Sequence, residues 1–380
     1  MGKSAASITS NRVDVVVIGA GIIGAAASSE IAGRGRSVVL LEQYELGHSM
    51  GSSHGKSRIF RLGYEQPLYV RLAQEARIGW SRLEREVGRK LLRPVGALDI
   101  GHPDSLDPIE AALEESHAPS ERVAAASTSR WTDGLIVPEG LEVLFQPDGG
   151  VLLAEACYQA FLAQASARGA AVKPNTRVLS LESNSDSVTV HTSDGAYVAA
   201  CAVVTAAGWT NQLSEPLGIS VPIRVTRETV AYYPGDFSRF RLPFIWHQAD
   251  PEPLVYGLPN NASGTLKIGR HQAGPEVVAG SEGVVEECQV ALIDEFVDAN
   301  IQGVDHHPSR AETCLYAATP DDDFVIDRLG PIVLGVGFGG HGFKFAPAVG
   351  GMLADLVEGK PMLHADEFNL SRFSGEAANA

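Results

Sequence analysis

The chain is poor in cysteine, in basic charge and in long apolar runs. Its four cysteines stand at 157, 201, 288 and 314. Their spacing matches neither a zinc site nor a CxxC redox motif, and so few cysteines in a chain of 380 residues fit a reducing compartment. Lys and Arg number 30 against 46 Asp and Glu, a net charge of −16, which argues against nucleic acid or an anionic membrane as the main partner. No apolar run is long enough to span a bilayer. The opening residues, MGKSAASITSNR, lack the apolar core of a signal peptide. They also carry Ala6 where a myristoylation signal needs Ser or Thr. A soluble cytoplasmic protein is expected, with the Asn261 sequon idle and residues 1–11 a disordered lead.

What is present fits a globular chain of two to three domains: 44% hydrophobic and 20% charged residues. Val13–Ile18 is a short β-branched run. Gly19-x-Gly21-x-x-Gly24 follows it, then an Ala-rich stretch to about Gly33, then SVVLL (37–41) ending at Glu42. Strand, glycine turn, helix, strand and acid make one complete βαβ unit, and both strands read as the continuous apolar runs of a buried parallel sheet. Residues 43–67 read as irregular. Residues 69–88 read as a helix with Leu72, Ala76, Trp80, Leu83 and Val87 on one stripe. Residues 94–147 are mixed and rich in turn residues; within them LEVLFQP (141–147) looks like a protease tag site but ends in Pro147 and is read as native loop and strand. Ala154–Arg168 reads as a helix stopped by Gly169. Val188–Thr192 and Val198–Ala206 read as strands. Residues 224–271 alternate as β-structure, a helix covers about 282–299, and after Cys314 the chain returns to strand and glycine loop. The simplest architecture is a nucleotide domain interrupted by an antiparallel-sheet domain.

Several groups could carry chemistry. The glycines at 19, 21 and 24 let the backbone approach a pyrophosphate at a helix N-terminus. Glu42, just past the second strand of the unit, stands where an acid binds a ribose. That motif disfavours NADP and leaves NAD and the ADP half of FAD open. Gly51-Ser-Ser53-His-Gly55 fits the GxSxG pattern of a nucleophile elbow but follows no apolar strand, which counts against Ser53 as a nucleophile. His54, Lys56, Arg58 and Arg61 form a basic cluster that is either a solvated loop or an anion pocket. Gly337-Phe-Gly339-Gly340-His341-Gly342-Phe-Lys344 follows a buried strand and opens the last helix, where a negative charge would be favoured. In TLKIGRH, alternation puts Lys267, Gly269 and His271 on one face, which is either a shared surface or a cavity wall, with the surface as the plain expectation. Cys314 reads locally as an inert buried thiol. His306-His307 has no third metal ligand nearby, so no metal is expected.

Taken together, GAGIIGAA, GSSHGKSRIFRLGY, TAAGW (205–209), LKIGRH, ETCLY, TPDDDFVID and GFGGHGFKFAP resemble the group of monomeric sarcosine, N-methyltryptophan and pipecolate oxidases, FAD enzymes of the D-amino acid oxidase superfamily. The resemblance runs from about Asp14 to Asp366. It implies an α/β (α+β) fold: a discontinuous Rossmann-like FAD-binding domain (12–93, 148–218 and 320–370) and an antiparallel-sheet substrate domain (94–147 and 219–319).

It also implies FAD tethered through a thioether at Cys314. Cofactor contacts would come from Gly19, Gly21, Gly24, Glu42, Ser53, His54, Val178, Gly208, Gly339, Gly340, Gly342 and Lys344. Arg58 would lie over the flavin, Arg61 and Lys344 would hold a substrate carboxylate, and Lys267 would assist oxygen reduction. His271, Tyr256 and Tyr316 would surround the substrate amine. Lys56 departs from an expected acid, which bears on substrate choice, as does the segment WHQADPEPL (246–254). The implied activity is oxidation of secondary amino acids by O2, giving an imine and H2O2, in a monomer. A glycated amino acid or larger amine as substrate, a carrier as electron acceptor, and a non-catalytic flavin or nucleotide sensor are the alternatives.

Overall fold

The computed structural model describes residues 10–127, 131, 133–237, 240–249, 251–260, 263–362 and 364–374. The first nine residues of the expected lead and Asn261 of the sequon lie outside them, whereas Ser10–Ile18 is strand. Two compact units divide the chain. The first comprises residues 1–53, 158–225 and 317–380; the second comprises 54–157 and 226–316. These boundaries differ from the expected ones: residues 54–93 and 148–157 belong to the second unit, and 219–225 and 317–319 to the first. The reason is a small sheet in which Gly150–Leu153 pairs with both Ser57–Phe60 and Leu92–Arg93, tying these stretches together.

The first unit is built on an eight-stranded sheet. Ser10–Ile18 pairs in parallel with Gly195–Val204 on one side and Val38–Leu41 on the other. Ala171–Lys173 extends the Val38–Leu41 edge in parallel. The other edge of Gly195–Val204 is shared: Val188–Thr192 runs antiparallel along its first half and Ile332–Val336 parallel along its second. Val38–Leu41 and Ile332–Val336 are buried at every residue, as a sheet covered on both faces requires. The helix Ile22–Gly33 is mostly apolar with no polar stripe, and it is buried at nearly every residue, Ser28 and Ser29 included. Gly350 of the helix Ala346–Val357 lies against Ala26, where an added Cβ would meet it at 3.0–3.1 Å. Arg34 closes the contact with bonds to Asp355 (2.7 Å) and Glu358 (3.0 Å).

The second unit carries an eight-stranded sheet in the order Arg310–Ala318, Arg224–Pro234, Thr265–Arg270, Val255–Asn260, Phe244–Trp246, Ala97–Gly101, Glu142–Gln146, Glu121–Ala124. Phe244–Trp246 and Ala97–Gly101 are parallel; both their outer neighbours run antiparallel to them. Phe244, Trp246, Phe296, Val297 and Ile268 belong to its core. The helix Pro67–Val87 starts at a proline and stops at Gly88 in the left-handed region (φ 64°), and its stripe from Leu72 to Leu83 is buried. Residues 94–147 hold more structure than their turn-rich composition suggests: the described residues include the strands Ala97–Gly101, Glu121–Ala124 and Glu142–Gln146 and the helix Pro103–Glu115. The helix Glu287–Asn300 starts later than the expected position 282.

Candidate functional site

In the first unit, the chain leaves the strand at Ile18 and turns at Gly19, whose φ of 96° suits glycine. Space forbids a side chain there too: a Cβ would sit 2.7 Å from the Thr205 carbonyl oxygen. A Cβ on Gly24 would sit 2.7 Å from Thr205 Oγ1 and collide with the Gly19 carbonyl. Thr205 Oγ1 donates to the carbonyls of Ile18 (3.0 Å) and Gly19 (2.9 Å), so it holds the glycine turn against the sheet. Thr205 was not among the expected site residues, although TAAGW contains it. Gly21 precedes the helix, and Ser53 Oγ accepts the N–H of Ile22 at 3.0 Å. Ser53 therefore satisfies a helix N-terminus; it follows no strand, unlike a nucleophile elbow.

Glu42 is buried at the end of Val38–Leu41. Its carboxylate accepts the N–H groups of Ala20 (2.9 Å) and Tyr44 (3.0 Å) and lies 3.3 Å from His48 Nε2. Burial alone would raise its pKa; the bonds from His48, Tyr44 and Ala20 outweigh burial and hold it below the usual carboxylate range. Val178 is half-buried at the start of Val178–Ser183, and Gly208 lies in the 3-10 turn Ala207–Trp209. Gly339 (φ 50°) and Gly340 (φ 85°) are left-handed. Gly342 opens a 3-10 turn, Gly342–Phe345, which stands between the glycines and the helix that was expected to begin there. Lys344 is buried, with Nζ donating to the His341 carbonyl at 2.9 Å. A crowded glycine turn at a helix start, with a buried, backbone-braced acid after the next strand, fits the pyrophosphate and ribose of FAD.

The second unit gathers most of the expected chemistry. Arg58, on Ser57–Phe60, bends back to donate to the carbonyls of His54 (2.6 Å) and Ser57 (2.8 Å). Lys267 lies in the middle of Thr265–Arg270, paired with Tyr232 and Leu258, and is 9% exposed. It is therefore not on a solvent face. Leu266 to Gly269 are all buried, so both faces of the strand are covered there. Burial, then the charge of Arg58, push its pKa down to about 8, against the opposite pull of Cys314 and Glu312. Burial pushes the Cys314 thiol up, partly countered by the positive charges of Lys267 and Arg58. Tyr256 and Tyr316 are hydrogen-bonded to each other, and burial raises both above the usual phenol range. The His271 ring stands 5.6 Å from that of Tyr316. Gly269 makes room for Tyr256, whose hydroxyl would be 2.6 Å from a Cβ there.

Two acids of this cluster escaped the sequence. Glu228 is buried, and its carboxylate accepts the N–H groups of Ala273 and Gly274, both at 3.0 Å, bracing the chain just after His271. Glu312 accepts the hydroxyl of Tyr232, over whose ring Arg310 stacks at 4.0 Å. A second group surrounds Arg61: Asp99, fully buried, with Gln146 and His247. Arg61 and Lys344, expected to act on one carboxylate, lie in different units. Among the described residues no three His, Cys, Asp or Glu could hold a metal ion, and no helix is long and apolar enough to cross a membrane. The four cysteines are free.

The family model for FAD dependent oxidoreductases (DAO) matches residues 14–356. The chain belongs to the DAO family of FAD-dependent oxidoreductases. It is 32% identical to monomeric sarcosine oxidase of Bacillus sp. (strain B-0618), covering 96% of this chain and 97% of that one. It is 34% identical to human peroxisomal sarcosine oxidase, over 95% and 96% of the two chains. Among solved structures it matches NikD, an unusual amino acid oxidase essential for nikkomycin biosynthesis, in its Tyr258Phe mutant. The TM-score is 0.85 at 26% identity, over 95% of this chain and 98% of that one. FAD is thus the cofactor of this DAO-family chain, and the fold is the mixed α/β one expected.

Proposed function

We propose that this chain oxidises secondary amino acids, N-methyl or cyclic, with oxygen as acceptor. The reading is carried by the cluster of buried Lys267 with half-buried Arg58 and Cys314, whose charges act on one another. The names of its relatives, two sarcosine oxidases, and the amino acid oxidase NikD support the substrate class.

When bound, FAD supplies the acceptor for a hydride equivalent from the carbon next to nitrogen, and it passes two electrons, with two protons, to O2 as H2O2. The protein's part is to position and to tune. Arg61 is assigned to the substrate carboxylate, where charge-assisted hydrogen bonds help fix the reacting C–H bond. Tyr256, Tyr316 and His271 are assigned to the amine, which must react in its neutral form; neighbouring cations favour that form by repulsion. Lys267 is assigned to oxygen, where a buried ammonium favours developing negative charge. Cys314 is assigned to a thioether with the cofactor. The imine product then hydrolyses in water.

The test is absorbance after acid precipitation, followed by a panel of amines with peroxide detection. Yellow colour should stay with the pellet of the native protein and pass to the supernatant for Cys314→Ser. N-Methyl amino acids should give one H2O2 per substrate consumed. A flavin-loaded protein that oxidises no secondary amino acid would overturn the reading.

A further inference from the structure

Arg61 sits at the end of an arrangement that the assigned reaction leaves unexplained. Asp99 is fully buried in the middle of Ala97–Gly101, an otherwise apolar strand. A carboxylate placed there is costly unless its oxygens are satisfied. They are. His247 Nε2 lies 2.7 Å from Oδ1, and Gln146 Nε2 donates to Oδ2. The three residues come from three neighbouring strands or their ends: the pairs Ala97–Gln146 and Trp246–Ile100, with the His247 N–H donating to the Ile100 carbonyl at 2.7 Å, bring them to one face. Gln146 is 1% exposed and turns its amide oxygen the other way, to accept the N–H groups of Leu62 (2.8 Å) and Gly63 (2.6 Å). Those are the two peptide groups that follow Arg61. Gly63 packs so closely that a Cβ would be 2.5 Å from Asp99 Oδ2 and 2.6 Å from Gln146 Nε2.

The guanidinium is held by the same group without being consumed by it. Arg61 Nη1 stands 3.8 Å from Asp99 Oδ1, beyond hydrogen-bond distance, and its Cζ lies 4.2 Å over the ring of Tyr64. Asp99 already spends its oxygens on His247 and Gln146, so its charge orients Arg61 through space while the fork of donors stays available to an anion. We propose that Asp99, Gln146 and His247 are positioning residues that set Arg61 for recognition of the substrate carboxylate, Gln146 through the backbone and Asp99 through its charge. This rests on the assignment of Arg61 to the carboxylate in the proposed function.

The experiment compares kcat/KM for N-methylglycine with that for N-methylglycinamide, which keeps the shape and lacks the charge. Their ratio cancels the fraction of correctly folded enzyme. It is measured for the wild-type holoenzyme, Arg61→Lys, Asp99→Asn, Gln146→Met and the double variant Asp99→Asn/Arg61→Lys. Arg61→Lys should lower the ratio. Asp99→Asn and Gln146→Met should each lower it by about tenfold, chiefly through KM for the acid. The double variant should be no worse in ratio than Arg61→Lys alone, since both changes remove one interaction. If Arg61→Lys lowers the ratio but both Asp99→Asn and Gln146→Met leave it unchanged, the positioning role is refuted and the carboxylate assignment stands. Effects of Asp99 and Arg61 that simply add refute it likewise. If Arg61→Lys itself leaves the ratio unchanged, the carboxylate assignment fails and the positioning role fails with it. Should Asp99→Asn not fold, Gln146→Met carries the same comparison.

Discussion

The hydroxyl of Ser53 accepts the backbone N–H of Ile22 at 3.0 Å, joining two distant parts of the chain at the start of the helix Ile22–Gly33. Gly21 offers that helix no side-chain cap of its own. Ser53→Ala should therefore behave as the loss of an N-cap and cost ~1 kcal/mol of stability. Urea unfolding of the two proteins under equal flavin loading reads this directly; an unchanged midpoint would mean that water replaces the hydroxyl without loss.

Glu42 is held ionised by His48, Tyr44 and Ala20 despite its burial. Glu42→Gln keeps the shape and removes the charge that a ribose hydroxyl would bond. Hydrogen bonds to a charged group contribute about 1.5–3 kcal/mol, so FAD should bind roughly ten- to a hundredfold more weakly. Fluorescence titration of apoprotein in the Cys314→Ser background gives the dissociation constant free of any covalent step.

Lys267 loses its proton as pH rises through about 8, because burial and then Arg58 disfavour the ammonium. A role in oxygen reduction that depends on that charge must decline in the same direction. The rate constant for reoxidation of the reduced enzyme by O2 should fall as pH rises past about 8. Lys267→Met should be slow and flat across that range, and Arg58→Met should move the midpoint upward by removing a repelling charge. Stopped-flow reoxidation at fixed oxygen checks all three; a wild-type rate that rises with pH contradicts the assignment.

Gly63 has no room for a methyl group, with Asp99 and Gln146 at 2.5 and 2.6 Å from where it would go. Both neighbours are buried. Gly63→Ala should cost about 1–3 kcal/mol as overpacking and should also raise KM for acidic substrates. Thermal unfolding and steady-state kinetics on the same preparation separate the two effects.

The sequence was most legible where structure is local. Ser10–Ile18, Gly19 to Gly24, the helix to Gly33 and the strand ending at Leu41 follow one another closely, and each piece carries its own signal in glycine spacing or apolar run. Pro103–Glu115 was hidden because Pro103, Pro108 and Asp104 read as turn residues, although proline at the first position of a helix is favourable. For Lys267 the surface default failed and the cavity-wall alternative stayed open, because alternation gives which residues share a face and says nothing of what covers it. Asp99, Gln146 and His247 are each unremarkable in their own segments. Only the pairing of strands far apart in sequence, as for Asp99 and His247, makes them a group. Gly19, Gly21, Gly24 and Glu42 carry a local motif, and the remaining site residues follow from the family resemblance; Glu228, Glu312, Asp99 and Gln146 carry neither signal.

The first unit is assembled from the two ends of the chain and a piece of its middle, and this has a consequence for its synthesis. Val38–Leu41 and Ile22–Gly33 emerge early from the ribosome, yet Gly195–Val204, the strand beside Ser10–Ile18, follows only when half the chain has been made. The cover over Ile22–Gly33 is the helix Ala346–Val357, locked by Arg34 to Asp355 and Glu358. All residues of the second unit, through Tyr316, have been made before that helix exists. The glycine turn at 19–24 is thus among the first segments translated and among the last to become part of a finished site. A nascent chain stalled just short of residue 346 would carry the whole glycine turn and still lack the helix packed against Ile22–Gly33, so loss of flavin binding on C-terminal truncation would report on residues at the opposite end of the sequence.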